Sequence, residues 1–428
     1  MAWIRVFKLA IASAIYFLAT IALMNAEELQ VAANFKDLTR VIQIAEPGDI
    51  LKLSPGFYYG SITLDKPITI DGQNGAKLIG NKNSSIITIS ASDVIIKGLE
   101  ISGSGSSHEN FDSGIRLLKS ATNAIIENNK ILGNLIGINV HGAKNSLLKN
   151  NIIEGRLDRR MNDRGNSIYL WNARNTKIFG NDIKYGRDGI FVTTSNGNNF
   201  KGNRFRDLRF AIHYMYAHDS IIADNISQNN HLGYAIMNSN NVIVQGNVSQ
   251  NDKKYGIMLN YTNKSQIIGN IITNNSGKCL FIYNAHKNIV KDNRFEKCDI
   301  GIHFSAGSEK NKIYQNAFIS NRTQVKYAGS KWVNWSEEGK GNFWSDHASF
   351  DLNNDGIADS IYRPNDIMDK ILWTHPAAKS LLGSPAVQLI KWSQSAFPAL
   401  LPGGVIDKNP LMQPIKIKTR TWNNPRLE

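Results

Sequence analysis

Histidine and methionine recur through the middle of this 428-residue chain, each just behind a small residue and a branched apolar one. His213 follows Ala211-Ile212, Met237 follows Ala235-Ile236, Met258 follows Gly256-Ile257 and His303 follows Gly301-Ile302. Met215 lies two residues beyond His213, and His218 follows at the next turn. Residues two apart on a strand face the same way. If each repeat is one coil of a stack, the outward column reads Tyr169, Phe191, His213, Met237, Met258, Ile282 or a neighbour, and His303. Successive backbones would then lie roughly 5 Å apart, close enough for the side-chain heads to converge on one ion. Imidazole with thioether is a soft donor set that suits Cu(I), whereas calcium or magnesium would want oxygens. A second reading stands beside it, because methionine also lines apolar protein-binding strips.

The elements that must position these residues are set by asparagine. Asn129, Asn151, Asn181, Asn203, Asn225, Asn247, Asn270, Asn293 and Asn316 each have a hydrophobic residue close behind. A fixed period in the twenties marks a stacked repeat. The short alternating runs rich in Ile and Val, parted by Asn/Gly/Ser/Lys turns, read as strands. One such unit cannot bury its apolar face alone, but stacked units can. The expected fold is all-β, a right-handed parallel β-helix with coils of about 22 residues. A leucine-rich repeat is disfavoured by the missing leucine spacing. The asparagines should stack as a hydrogen-bonded ladder and carry no catalysis.

Residues 1–26 read as a secretory signal peptide, with Arg5 and Lys8 ahead of an apolar run from Leu9 to Met24. The implied compartment is a bacterial periplasm. Phe35, Leu38, Val41, Ile42 and Ala45 fall on one stripe, which predicts an amphipathic helix over 35–46 that caps the open strand edges. The β-helix is expected over 27–330, with Gly98 standing where later coils have Asn. A capping and docking region is expected over 331–428, with helical segments between Pro376 and Pro398 broken near Pro385. The net charge of +14 is spread along the chain, which suits an anionic surface or acidic partner and argues against nucleic acid.

One repeat is about eight residues longer than its neighbours, and the excess falls in 155–165 with Arg156, Arg159, Arg160 and Arg164. Such insertions are often binding loops, and a tolerated surface excursion is the other reading. Cys279 and Cys298 lie nearly one coil apart. A disulfide, two unpaired thiols and copper ligation are all open to them. In the tail, Asp351, Asn353, Asp355, Ile357 and Asp359 alternate around Gly356 as in the first part of a calcium loop. Position 12 of such a loop is Tyr362 rather than Glu, so an unoccupied polar turn is the alternative.

Several strings resemble the NosD family of nitrous oxide reductase maturation proteins. They are RFAIHYMY (209–216), GYAIM (233–237), FIYNAHKN (281–288) and GIHFSAGSE (301–309) in the repeats. The tail adds GNFWSD (341–346), YRPND (362–366), SPAV (384–387) and FPALLPGGV (397–405). The resemblance implies a periplasmic assembly factor without catalysis of its own, seated on the permease of an ABC transporter. It would accept copper from a lipoprotein chaperone and pass it to apo nitrous oxide reductase. The C-terminal segment, with Trp392 and Phe397, would dock on the permease, so membrane association would come through the partner. The ligand set His213, Met215, Met237, Met258, His218 and His303 rests on stacking and not on the resemblance.

Two rival functions are a scaffold that never touches metal and a carbohydrate-active β-helix lyase or epimerase. The enzyme reading lacks a column of stacked acids, and Asp163, Asp188 and Asp207 look scattered and explained by turns.

Overall fold

The computed structural model describes residues 26–33, 38–305, 307–329, 331–365, 367–381, 384–396 and 403–417. The expected signal peptide and Phe35 lie outside these residues, as does Phe397. The chain winds into a right-handed parallel β-helix. One face is a twelve-stranded parallel sheet that runs from Ile62–Leu64 to Thr323–Ala328. Two further faces carry short parallel strands, such as Asn199–Lys201 and Arg204–Arg206.

Strand alternation builds the interior. On the twelve-stranded face Ile190 and Val192, Ile212 and Tyr214, and Ile257 and Leu259 point inward and are fully buried. Phe191, His213 and Met258 point outward between them.

The asparagine ladder is continuous. Each Asn donates both its backbone N–H and its Nδ2 to the Oδ1 of the next, with backbone bonds of 2.9–3.1 Å from Asn129 to Asn316. It does not stop there. Asn316 donates to Asn342, 26 residues on, and the irregular step hides this last rung from the period. Asn342 in turn donates to the Asp407 carboxylate at 2.7 Å, which also accepts from Trp344 Nε1 at 2.8 Å. At the other end Leu99, not Gly98, occupies the ladder position, and its N–H donates to Asn129. Gly98 sits one place earlier, at the left-handed turn residue that Gly180, Gly202 and Gly246 repeat.

A second corner carries Asn230, Asp252 and Asn275 as successive rungs. Asp252 is fully buried, and its carboxylate accepts from Ser227 at 2.7 Å and Ser249 at 2.6 Å. No ion pair reaches it among the described residues. Burial pushes its carboxyl up to about 7, against the pull of these hydrogen bonds. The folded protein therefore holds a proton that the unfolded chain releases from about pH 4, and stability falls as pH rises from there through 7. Asp252→Asn should remove that slope and raise stability at pH 8 by on the order of 3 kcal/mol. Urea melts at pH 5 and pH 8 read this directly, and equal slopes for the two proteins would refute it.

Cys279 and Cys298 form a disulfide across neighbouring coils. That settles the three options in favour of the first and removes both sulfurs as thiolate ligands. Closing a loop of 19 residues is worth about 3 kcal/mol. The Cys279→Ser/Cys298→Ser variant should lose about that much in a urea melt, and wild type under reductant should match it.

A helix over Leu38–Ile44 covers the first coils, with Leu38, Val41 and Ile42 buried and Ile44 exposed. Lys66 Nζ closes its last turn by donating to the Gln43 and Ala45 carbonyls. At the other end Trp335 and Trp344 are buried against Phe318, which stacks on Trp344 at 4.4 Å. Strand Gly404–Ile406 pairs with Trp332–Asn334 and seals this end. Helices span Ile367–Thr374 and Pro385–Ala396. A 3-10 turn over Pro376–Leu381 precedes the second helix, so the helical segments part just before Pro385 as expected, and Pro385 opens the second because a first-turn proline has no N–H to satisfy.

Candidate functional site

The outward face of the twelve-stranded sheet has a register that differs from the one read from Ala-Ile pairs. Tyr169, Phe191, His213, Ala235, Met258, Phe281, His303 and Lys326 form one column. Met237 belongs to the next column, beside Met215. Ile282 is buried in the core, and Phe281 takes the outward place. The reason lies in strand Leu232–Met237, where Tyr234, not Ile236, is equivalent to Ile212. The strand still alternates, so Met237 faces outward two residues along.

The corrected register makes a compact grid. His213 and Met215 lie on one coil, Ala235 and Met237 on the next, and Met258 and Asn260 on the third. Ala235 is fully buried among these longer neighbours. It forms the floor of a cup whose rim holds three thioethers and one imidazole. Met215 and Met237 are directly paired, and Met258 is diagonal to Met237. Diagonal neighbours on adjacent strands lie within reach of side chains of this length.

His213 is held in place. Its Nδ1 lies 3.2 Å from Asp188 Oδ2, and its ring is packed by Phe191 at 4.9 Å and Phe210 at 4.7 Å. Asp188 is fully buried and takes a two-pronged contact from Arg209, at 2.8 Å through Nε and 2.6 Å through the terminal nitrogen. Burial alone pushes the Asp188 carboxyl up, but the hydrogen bonds and charges of His213 and Arg209 outweigh it and hold the group below its ordinary value. A carboxylate on one imidazole nitrogen fixes the ring and leaves Nε2 to face outward, the posture of a metal-ligating histidine. Asp188 was thus not a turn residue. The signal in the sequence was an acid at a strand start with Arg209 one coil later.

The other expected ligands stand elsewhere. His218 Nδ1 accepts the Asn240 N–H at 3.0 Å, and His286 repeats this with Glu309 at 3.1 Å. His218 Nδ1 is therefore spent as a backbone acceptor on the neighbouring coil. His303 shares the His213 column but lies four coils away, roughly 19 Å. Burial, with Lys278 and Lys326, pushes its imidazole down to about 4.

The calcium-loop residues close on themselves. The Asp351 carboxylate accepts from the backbone of Asp355 and Gly356, Asp355 accepts from Ile357, and Asp359 accepts from Leu352. Asn353 spends its side-chain N–H on Asp355. Among the described residues no group of three or more His, Cys, Asp or Glu is placed to hold a metal.

The inserted loop is partly structural. Arg156 donates to the carbonyls of Gly133, Ser104 and Gly105, so it ties the insertion to the loop before Ser113. Arg164 donates to the Arg159 and Tyr185 carbonyls. Arg159 and Arg160 remain exposed beside a cavity of about 470 Å³ that Arg156, Leu157 and Tyr185 help to line. In the tail Trp392 is exposed.

Comparison with known proteins places the chain in a family. The sequence pattern of the family described as periplasmic copper-binding protein (NosD) matches residues 149–349. A relative from Stutzerimonas stutzeri, named a probable ABC transporter binding protein NosD, is 39% identical over 85% of this chain and 86% of its own. The Pseudomonas aeruginosa protein of the same name is 37% identical over 84% and 87%. Among solved structures, the A-module of the Azotobacter vinelandii mannuronan C-5 epimerase AlgE6 is similar with TM-score 0.56, at 14% identity over 68% of this chain and 89% of its own. The lidless DFA-IIIase of Arthrobacter chlorophenolicus A6 gives 0.54, at 14% identity over 71% and 99%. At that identity the likeness to the two enzymes shows the β-helix fold alone. The chain belongs to the NosD family of periplasmic copper-binding proteins.

Proposed function

We propose that this protein is a non-catalytic carrier that takes up Cu(I) on the Ala235 cup and relays it to apo nitrous oxide reductase. Copper is its cargo. The observation that carries this is the grid of Met215, Met237 and Met258 around a buried alanine, with His213 oriented by Asp188. Three thioethers and an imidazole favour Cu(I) over harder ions. A purely apolar docking strip would have no use for a buried carboxylate aimed at the ring.

The relatives are named as ABC transporter binding proteins. By extension, this chain would dock on the permease of such a transporter, with the exposed Trp392 and Leu389 of helix Pro385–Ala396 as contacts. A copper chaperone would be the donor. The copper reading does not depend on the loop around Gly356, whose carboxylates keep lone pairs for a calcium ion beside their backbone bonds.

The test is anaerobic Cu(I) titration against a competing chelator. Wild type should take up one ion tightly. The His213→Ala/Met215→Ala/Met237→Ala/Met258→Ala variant, shown folded by circular dichroism, should not. Equal uptake by both would place copper elsewhere. No uptake by either would favour the metal-free scaffold.

A further inference from the structure

Two excursions from the coils meet over the outward face, beside the coils that precede His213. One is the loop between strands Ile95–Ser102 and Ser113–Leu117, and the other is the insertion over 155–165. Arg156 ties the two together, and His108 Nε2 lies 3.3 Å from the Asp163 carbonyl oxygen. With the sheet they bound a cavity of about 200 Å³, whose walls include Phe111, Ile136, Asn166, Tyr169, Arg187 and Phe191. It is distinct from the larger cavity beside Arg159.

The apolar wall is flat. Phe111 stacks on Tyr169 with ring centres 5.6 Å apart, and Tyr169 stacks on Phe191 at 5.5 Å, each pair within 10° of parallel. Phe111 reaches its place through a left-handed backbone, with φ at 54°. A bulky residue adopts that conformation at a cost in stability, and such strain collects at ligand clamps. Gly165 borders the same cavity, and a side chain there would strike the Leu135 carbonyl, so glycine lets the insertion close down on the coil.

The charged group in this wall is Arg187. Arg156, Arg164 and Arg209 spend their guanidinium groups on acceptors of neighbouring coils, but among the described residues Arg187 donates no hydrogen bond. The one carboxylate within 4.0 Å of it is that of Asp188, which already serves Arg209 and His213. The Arg187 charge also acts on the Tyr169 hydroxyl, which burial pushes up and the guanidinium pulls back. Asn166 is 6% exposed, and its Oδ1 likewise lacks a donor. An unpaired guanidinium beside a mostly apolar wall is the composition of a small-ligand site.

The charge and shape of the ligand follow. Arginine holds a carboxylate through two parallel N–H bonds, which suits a planar monoanion. A phosphate would want more donors than this wall offers. A dry cavity of about 150 Å³ holds a benzene ring, so this one has room for a ring and its carboxylate. We propose that the cavity binds a small aromatic carboxylate, with its ring along Tyr169 and Phe191 and its carboxylate on Arg187. The site does not rest on the copper reading.

The experiment follows the fluorine NMR signal of para-fluorobenzoate as the full-length, metal-free protein is added. The signal should shift and broaden to saturation, and unlabelled benzoate should displace the probe. Benzamide keeps the ring and loses the charge, whereas acetate keeps the charge and loses the ring. Each should compete at least about tenfold less well than benzoate. Arg187→Gln and Phe111→Gly, shown folded by circular dichroism, should each weaken binding at least about tenfold. Arg174→Gln, at an exposed turn, should bind as wild type does.

No saturable binding of the probe at millimolar concentration overturns the proposal. So does wild-type affinity in folded Arg187→Gln or, should that variant not fold, in Phe111→Gly. Acetate competing as well as benzoate would mark a bare anion site and overturn the aromatic assignment. Because binding is read without metal, its failure leaves the Cu(I) titration untouched, and failure of that titration leaves this site standing.

Discussion

Replacing Asn225 by alanine is expected to destabilise the protein by about 4 kcal/mol, more than most single substitutions. The side chain is fully buried in the middle of the ladder. Its Oδ1 accepts from the Asn203 backbone and side chain, and its Nδ2 donates to the Phe200 carbonyl at 2.9 Å and to Asn247. Alanine removes both roles and leaves partners on two coils unsatisfied in a dry interior. Each such group costs about 1–3 kcal/mol. Aspartate should be no remedy, because it restores the acceptor but loses the donor and buries a charge. The check is a urea melt of wild type, Asn225→Ala and Asn225→Asp. A loss below about 1 kcal/mol for alanine would mean that the rungs relax independently and the ladder is not a cooperative element.

The second large effect concerns Asp188, which links the fold to the cup. Asp188→Asn keeps an oxygen for Arg209 but loses the carboxylate that orients His213. Removing a carboxylate behind a metal-ligating histidine costs about 10–100-fold in metal affinity. The same substitution leaves the Arg209 charge poorly compensated, at a cost of about 3–5 kcal/mol if the pair is fully broken. Two readouts separate these effects. Circular dichroism and a urea melt give the stability loss, and Cu(I) competition on the folded variant gives the affinity loss. A folded Asp188→Asn protein with unchanged Cu(I) affinity would show that His213 is not a ligand.

Much of the architecture was legible because the physics that sets it is periodic. The ladder asparagines recur with the coil, and strand alternation separates Ile212 and Tyr214 from His213 without any coordinates. The amphipathic stripe of Leu38, Val41 and Ile42 likewise gave the capping helix. What failed was register within a strand. Gly233-Tyr234-Ala235-Ile236 offers two places for the small–apolar pair, and the wrong choice moved Met237 by two residues while keeping its face. The last rung was hidden because the step to Asn342 is irregular.

The site was harder to read for a different reason. Pairings such as Asp188 with His213 join residues 25 apart, whose direction depends on side-chain packing that no period reports. The roles of Arg156 and His218 were obscured in the same way. Both bond backbone carbonyls or amides on neighbouring coils, and in sequence such residues look identical to exposed binding groups.

X-ray absorption at the copper edge, on the protein loaded anaerobically with one equivalent of Cu(I), tests the central claim most directly. If the Ala235 cup holds the ion, the first shell contains three sulfurs and one nitrogen, and His213→Ala removes the nitrogen contribution while sulfur remains. A shell of nitrogen and oxygen alone, or one unchanged by Met237→Ala and Met258→Ala, would contradict it and place copper away from this face.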